Sequence, residues 1–180
     1  MVKIKTIVLM LVISSATLLM AQSLKVGYLD TERIMLESKD TQEAQILFKN
    51  EQAVWEKEAM AIDEEYKRLQ SNYEARKLTL TESGKAKALE EIEAKAKERK
   101  QYLERIFGEN GVAVQRNSEL LEPIMVKLKD TIEKIAIDEN YAIIFDAVGG
   151  GILYARPNLD ITDLVIKDMN ATAGTGSSKK

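Results

Sequence analysis

Apolar residues recur along the middle of this chain at steps of three, four and seven. Phe48, Trp55, Ala59, Ile62, Tyr66, Leu69 and Tyr73 form one series. Leu89, Ile92, Ala96, Arg99, Leu103 and Ile106 form a second, with Arg99 in an otherwise apolar register. Steps of three and four keep a narrow stripe on one side of a helix, which is the seam of a coiled coil. Between the series lies Thr79-Leu80-Thr81-Glu82-Ser83-Gly84, a polar break ending in glycine. The pattern predicts two long antiparallel helices zipped together, with a tip near residues 79–84. Asp40-Thr41-Gln42-Glu43 has capping-box spacing, with Asp40 as the N-cap and Glu43 reaching back. The outgoing helix is therefore expected from about Thr41 to about Leu78, a length on the order of 60 Å.

The return helix is expected to start near Ser83 or Gly84. Gly108 and Gly111 should interrupt it softly, each at roughly 1 kcal/mol against alanine. Pro123 marks a second discontinuity, because proline lacks the backbone donor a helix needs. Leu120, Ile124, Leu128, Ile132 and Ile135 carry a helical stripe past it. Strand-like segments lie outside the helical stretch. Leu24-Lys25-Val26-Gly27-Tyr28-Leu29-Asp30 reads as a short strand and residues 31–38 as a short helix. Tyr141-Ala142-Ile143-Ile144-Phe145-Asp146 and Ile152-Leu153-Tyr154-Ala155, joined through Gly149-Gly150-Gly151, read as a β-hairpin closed by Pro157. A last helix is expected from Asp160 to about Met169, then a small, polar, disordered tail over residues 171–180.

The expected organisation is an α+β fold: a helical-hairpin arm, residues 41–119, projecting from a small β-rich body made of residues 22–40 and 120–170. Three short strands leave open edges and little buried area, so the body is expected to self-associate. Residues 1–21 read as a cleaved signal peptide. Lys3 and Lys5 precede an apolar run over residues 6–20, too short to span a bilayer, and Ala21 offers a small residue for cleavage. The two lysines removed leave 24 basic against 29 acidic residues, a formal charge of −5. No cysteine is available for disulfides or a lipid anchor, and no histidine for metal or proton chemistry.

Two sets of residues carry a resemblance. Val26-Gly27-Tyr28-Leu29-Asp30 with Glu32-Arg33-Ile34 forms the first. The second comprises Leu121-Glu122-Pro123-Ile124, Ile132-Glu133-Lys134-Ile135-Ala136, Glu139-Asn140-Tyr141-Ala142-Ile143-Ile144-Phe145-Asp146, Gly150-Gly151-Ile152-Leu153-Tyr154-Ala155 and Asp160-Ile161-Thr162. In this order they resemble the Skp/OmpH family of periplasmic chaperones across nearly the whole mature chain. The resemblance implies a homotrimer joined through its bodies. It further implies three arms enclosing unfolded outer-membrane proteins in transit, with no nucleotide, metal or other cofactor. An ATP-independent periplasmic holdase is the leading expectation. An exported coiled-coil adaptor bridging envelope partners is the alternative, distinguished by partner-specific tip contacts and no suppression of aggregation.

A holdase must hold apolar segments without a fixed pose, so its affinity comes from many weak contacts. Candidates off the seam are Leu47, Val54, Met60, Leu78, Phe107, Val112 and Val114. Residues 67–105 contain eleven basic and seven acidic residues. Arg76, Lys77, Lys85 and Lys87 therefore form a candidate basic tip for anionic membrane or acidic client segments. Gly108 and Gly111 form a candidate hinge. Gly149-Gly150-Gly151 lacks the phosphate-loop pattern and precedes a strand. Asp146, Asp160 and Asp163 do not have calcium-loop spacing. Net acidity and export disfavour nucleic acid as a partner, and no convergent catalytic set points to an enzyme.

Overall fold

The computed structural model describes residues 24–171. The expected leader, residues 1–21, lies outside them, as does the expected tail after Ala171. The element order is β1 (Val26–Leu29), α1 (Thr31–Glu37), α2 (Lys39–Arg76), α3 (Glu82–Phe107), α4 (Val112–Asp138), β2 (Ile143–Asp146), a 3₁₀ turn (Pro157–Leu159) and α5 (Thr162–Ala171).

β1 and β2 pair in parallel, from Val26 opposite Ile143 to Leu29 opposite Asp146. The hairpin expected between residues 141–146 and 152–155 is not formed. Parallel pairing with β1 occupies the inner edge of β2, and Ile161 N–H donates to Tyr28 C=O at 2.9 Å on the opposite edge of β1. Residues 152–155 form no strand within this chain, and Leu153 and Tyr154 stand 98% and 83% exposed. Gly27 is needed where it stands. A Cβ there would lie 2.9 Å from Cε1 of Tyr141, whose ring packs against β1 under the Lys25 ammonium.

α1 starts at Asp30, whose carboxylate accepts the Arg33 N–H. α2 begins two residues before the expected start, with Ser38 as its N-cap. Asp40 therefore lies inside the first turn and reaches across to Lys127 instead of capping. The first free N–H, that of Lys39, donates to Oδ1 of Asn170 in α5, at 2.9 Å. The tip is Lys77 to Thr81, and Thr81 caps α3 by accepting the Gly84 N–H.

The return strand does not bend softly at its glycines; it breaks. α3 stops at Phe107, Gly108 and Gly111 are its C-cap and the next N-cap, and α4 starts at Val112. A Cβ on Gly108 would lie 2.3 Å from the Glu104 carbonyl oxygen, and one on Gly111 2.5 Å from that of Ile106. The break expected at Pro123 is absent: α4 continues as one helix through it. One lost helical hydrogen bond is outweighed there by the burial of Ile124 and Leu128 next to it. Those two side chains join Leu29, Ile34, Ile135, Ile161, Val165 and Met169 in the core. The core thus sits in the base, under the strands and between α1, α4 and α5.

Candidate functional site: the paired helices and their surfaces

α2 has 38 residues, so it extends on the order of 57 Å. Its partners α3 and α4 follow one another along it, α3 on the outer part and α4 near the base. Three contacts fix the direction of α3: Glu58 with Tyr102, Asp63 with Arg99, and Glu65 with Lys95. Rising numbers on α2 meet falling numbers on α3, so the two run antiparallel.

The seam residues Phe48, Trp55, Ala59, Ile62, Tyr66, Leu69 and Tyr73 are all half-buried. On α3, Ile92 and Ala96 are half-buried and Ile106 is buried. Leu89 and Leu103 are exposed, however, and the buried residue is Tyr102, absent from the predicted stripe. Arg99 fits the register without an apolar side chain, because its guanidinium extends to Asp63 at the seam edge. Tyr102 serves better than Leu103 for a physical reason. Its ring fills the seam while its hydroxyl donates to Glu58 Oε2, 2.8 Å away, and lies 3.1 Å from the Trp55 carbonyl. Burial, followed by the nearby Glu58 carboxylate, pushes the Tyr102 phenol up to about 12. Phe48 meets Trp55 edge-on at 6.2 Å.

Charges border this seam. Arg116 of α4 grips both carboxylate oxygens of Glu51, from Nε at 2.8 and 3.1 Å and from Nη2 at 3.0 Å. That grip holds the Glu51 carboxyl below its ordinary range. Lys67 and then Arg99 do the same for Asp63, and Lys95 for Glu65.

All seven candidate contact residues, Leu47, Val54, Met60, Leu78, Phe107, Val112 and Val114, are exposed, with Leu78 at the tip 93% so. They do not form one patch. Leu47 and Val54 are seven positions apart on one flank of α2, while Met60 lies round the helix with Ile46 and Ala53, also at seven-residue steps. Phe107 and Val112 flank the break. Sequence reasoning missed Ile46, Met125, Val126 and Ile137, all exposed; an apolar residue off the seam at heptad spacing was the available signal for Ile46. Leu153 and Tyr154 were assigned to a strand. At the tip, Lys77 pairs with Glu74 and Lys85 with Glu82. Arg76 and Lys87 make no ion pair among the described residues.

Three open grooves on the helices measure about 200, 500 and 530 Å³. The first lies beside the Asp63–Arg99 pair and Tyr102, the second at the break, the third near Tyr73 and Ile92. Among the described residues no group of three or more acidic, histidine or cysteine side chains could hold a metal ion, and no helix is long and apolar enough to cross a membrane.

Among solved structures, the chain is similar to a protein from Caulobacter crescentus classed as an OmpH-like outer membrane chaperone. The TM-score is 0.74 at 16% identity, over 82% of this chain and 85% of that one, a likeness of fold. Among curated proteins there is no match. The family described as Outer membrane protein (OmpH-like) matches residues 25–169, and by that match over most of its length this chain belongs to the OmpH-like family.

Proposed function

We propose that this protein is an ATP-independent holdase chaperone of the periplasm that keeps unfolded outer-membrane proteins soluble in transit. One observation carries the reading: the long projecting helices expose apolar side chains at intervals along their length, without gathering them in a pocket. Such a surface suits a chain with no defined pose, because each contact is weak and many act together. Family membership and the fold shared with an OmpH-like chaperone support it. We read α2 with α3 and α4 as a coiled-coil arm, and the seven exposed residues from Leu47 to Val114 as client contacts. Arg76 and Lys87, with the ion-paired Lys77 and Lys85, would bring the tip to anionic membrane or acidic client segments.

The base is read as the oligomerisation body of a homotrimer. Ile143 and Phe145 of β2, and Leu153 and Tyr154 after it, are exposed, and the outer edge of β2 has no strand partner among the described residues. An exposed apolar edge of this kind invites pairing with another chain. Export through cleavage near Ala21 completes the reading.

Native mass measured with and without an unfolded porin tests assembly and activity together. A trimer that takes up one porin and suppresses its aggregation is expected, with graded loss as the contact residues are replaced serially by serine. A monomer with no effect on porin aggregation refutes the holdase. Leu153→Asp with Tyr154→Asp should yield monomers, and an intact trimer from that variant removes the edge from the assembly.

A further inference from the structure

The cross-helix contacts allow the register to be counted on both sides of the break. On the outer part, Glu58 to Glu65 is seven positions on α2, and Tyr102 back to Lys95 is seven on α3, while the long Arg99 side chain reaches two positions off that step to Asp63. Near the base, Glu51 back to Asp40 is eleven positions on α2, and Arg116 on to Lys127 is eleven on α4. Within each part these pairs keep step. Across the break they do not: Glu58 to Glu51 is seven positions, but Tyr102 to Arg116 is fourteen. The return segment, α3 with α4, therefore contains seven residues that α2 does not match, which is one heptad.

A surplus of seven is special because seven residues turn a helix within about 20° of two full turns. The chain can leave the seam, spend those residues, and rejoin with the same face toward α2. Without residues 107–113, Tyr102 and Ile106 would lead into Arg116 and Leu120 at heptad spacing. The detour itself is compact. Gly108 N–H donates to Glu104 C=O at 3.0 Å, and Gly111 N–H to Gly108 C=O at 2.9 Å.

We propose that residues 107–113 are a phase-neutral detour of one heptad in a single seam, and that the arm flexes at this level. α3 and α4 are then two halves of one helix laid along α2. No helical ladder spans the detour, so α2 alone resists bending there, where two helices resist it elsewhere. Its importance to client capture rests on the holdase reading; its folding consequence does not.

Two deletions in the mature protein test it. Removing 107–113 should leave a folded protein whose melting midpoint equals or exceeds the parent's. Removing only 108–111 leaves three surplus residues, which turn α4 by about 60° and displace it by about 4.5 Å. Arg116 then misses Glu51, and the midpoint should fall by roughly 5 °C or more. Spin labels on Ser83→Cys at the tip and Lys129→Cys at the base, diluted with unlabelled protein, read the bending; the chain has no native cysteine to interfere. The tip-to-base distance distribution should narrow by about a third in the seven-residue deletion. A seven-residue deletion that melts no higher than the four-residue one overturns the common seam. Equal distribution widths in that deletion and the parent overturn the flexing. Porin held by neither protein would refute the holdase reading and leave the melting comparison standing.

Discussion

Tyr102→Phe isolates one polar contact in the middle of the paired helices. The ring stays, so the seam keeps its packing and only the hydroxyl is lost. Tyr102 is 7% exposed, and its oxygen lies 2.8 Å from Glu58 Oε2 and 3.1 Å from the Trp55 carbonyl. The Trp55 carbonyl lies inside α2 and keeps its helical donor, and Glu58 is exposed and can turn to water. Neither partner is stranded, so the loss is that of net hydrogen bonds alone, about 1–2 kcal/mol. For a chain of this size that is roughly 3–6 °C in melting midpoint. The lone tryptophan, Trp55, contributes one of the two acceptors, so denaturation followed by its fluorescence reports on this site. Parent and variant must be compared at one protein concentration, since the self-association proposed above would shift apparent stability. Combining Tyr102→Phe with Glu58→Gln should give a coupling of about 1 kcal/mol. A midpoint unchanged within about 0.3 kcal/mol, with full additivity in that cycle, would refute the assignment of Tyr102 as a polar lock.

Other outcomes follow from named contacts. Double replacement of Gly108 and Gly111 by alanine should destabilise by about 2–4 kcal/mol, because each Cβ meets a backbone carbonyl oxygen; denaturant titration measures it. Asn170→Ala should cost about 1 kcal/mol and speed amide exchange at Lys39, whereas Asn170→Asp keeps the acceptor, loses the Nδ2 donor to the Glu37 carbonyl, and should retain slow exchange at Lys39 with part of the stability. Glu51, Asp63 and Glu65 have carboxyls depressed by Arg116, Lys67 and Lys95 respectively. A depressed carboxyl contributes stability above its unfolded pKa and loses it as pH falls through the folded one. Acid titration below about pH 4 should therefore loosen the arm, seen as a change in Trp55 fluorescence, with salt reducing the effect. Tyr102 has the opposite sign: raised to about 12, it holds its contribution below pH 10 and loses it as pH climbs toward that value, which ultraviolet titration of the phenols detects.

The outgoing seam was legible because seven half-buried positions keep one heptad register over a long helix, which leaves little ambiguity of phase. On α3 the same reasoning slipped by one residue. Leu103 has the more apolar side chain, but Tyr102 can bury a ring and still satisfy its hydroxyl on α2, a partner that no pattern within α3 discloses. The glycines were legible as an interruption but not as a full break, since the clash of a Cβ with a carbonyl four or five residues earlier depends on the folded backbone. The strand pairing was the least legible. Adjacent β-rich segments suggest a hairpin, yet β2 pairs with a strand 117 positions earlier, Val26 against Ile143, and nothing local encodes that. Exposure of the candidate contact residues followed from their positions off the seam; their division among several faces did not.

The parallel ladder of β1 and β2 has a consequence for synthesis. Its two strands are the first and nearly the last regular pieces of the polypeptide, so the ladder closes a loop that contains the entire arm. Local helix–helix contacts form quickly, whereas pairing across so long a separation is slow. The prong can zip as soon as α3 emerges, but β1 must wait for β2. A newly made molecule thus carries zipped helices on an unfinished foot, and that foot closes only when the last third of the polypeptide has been made.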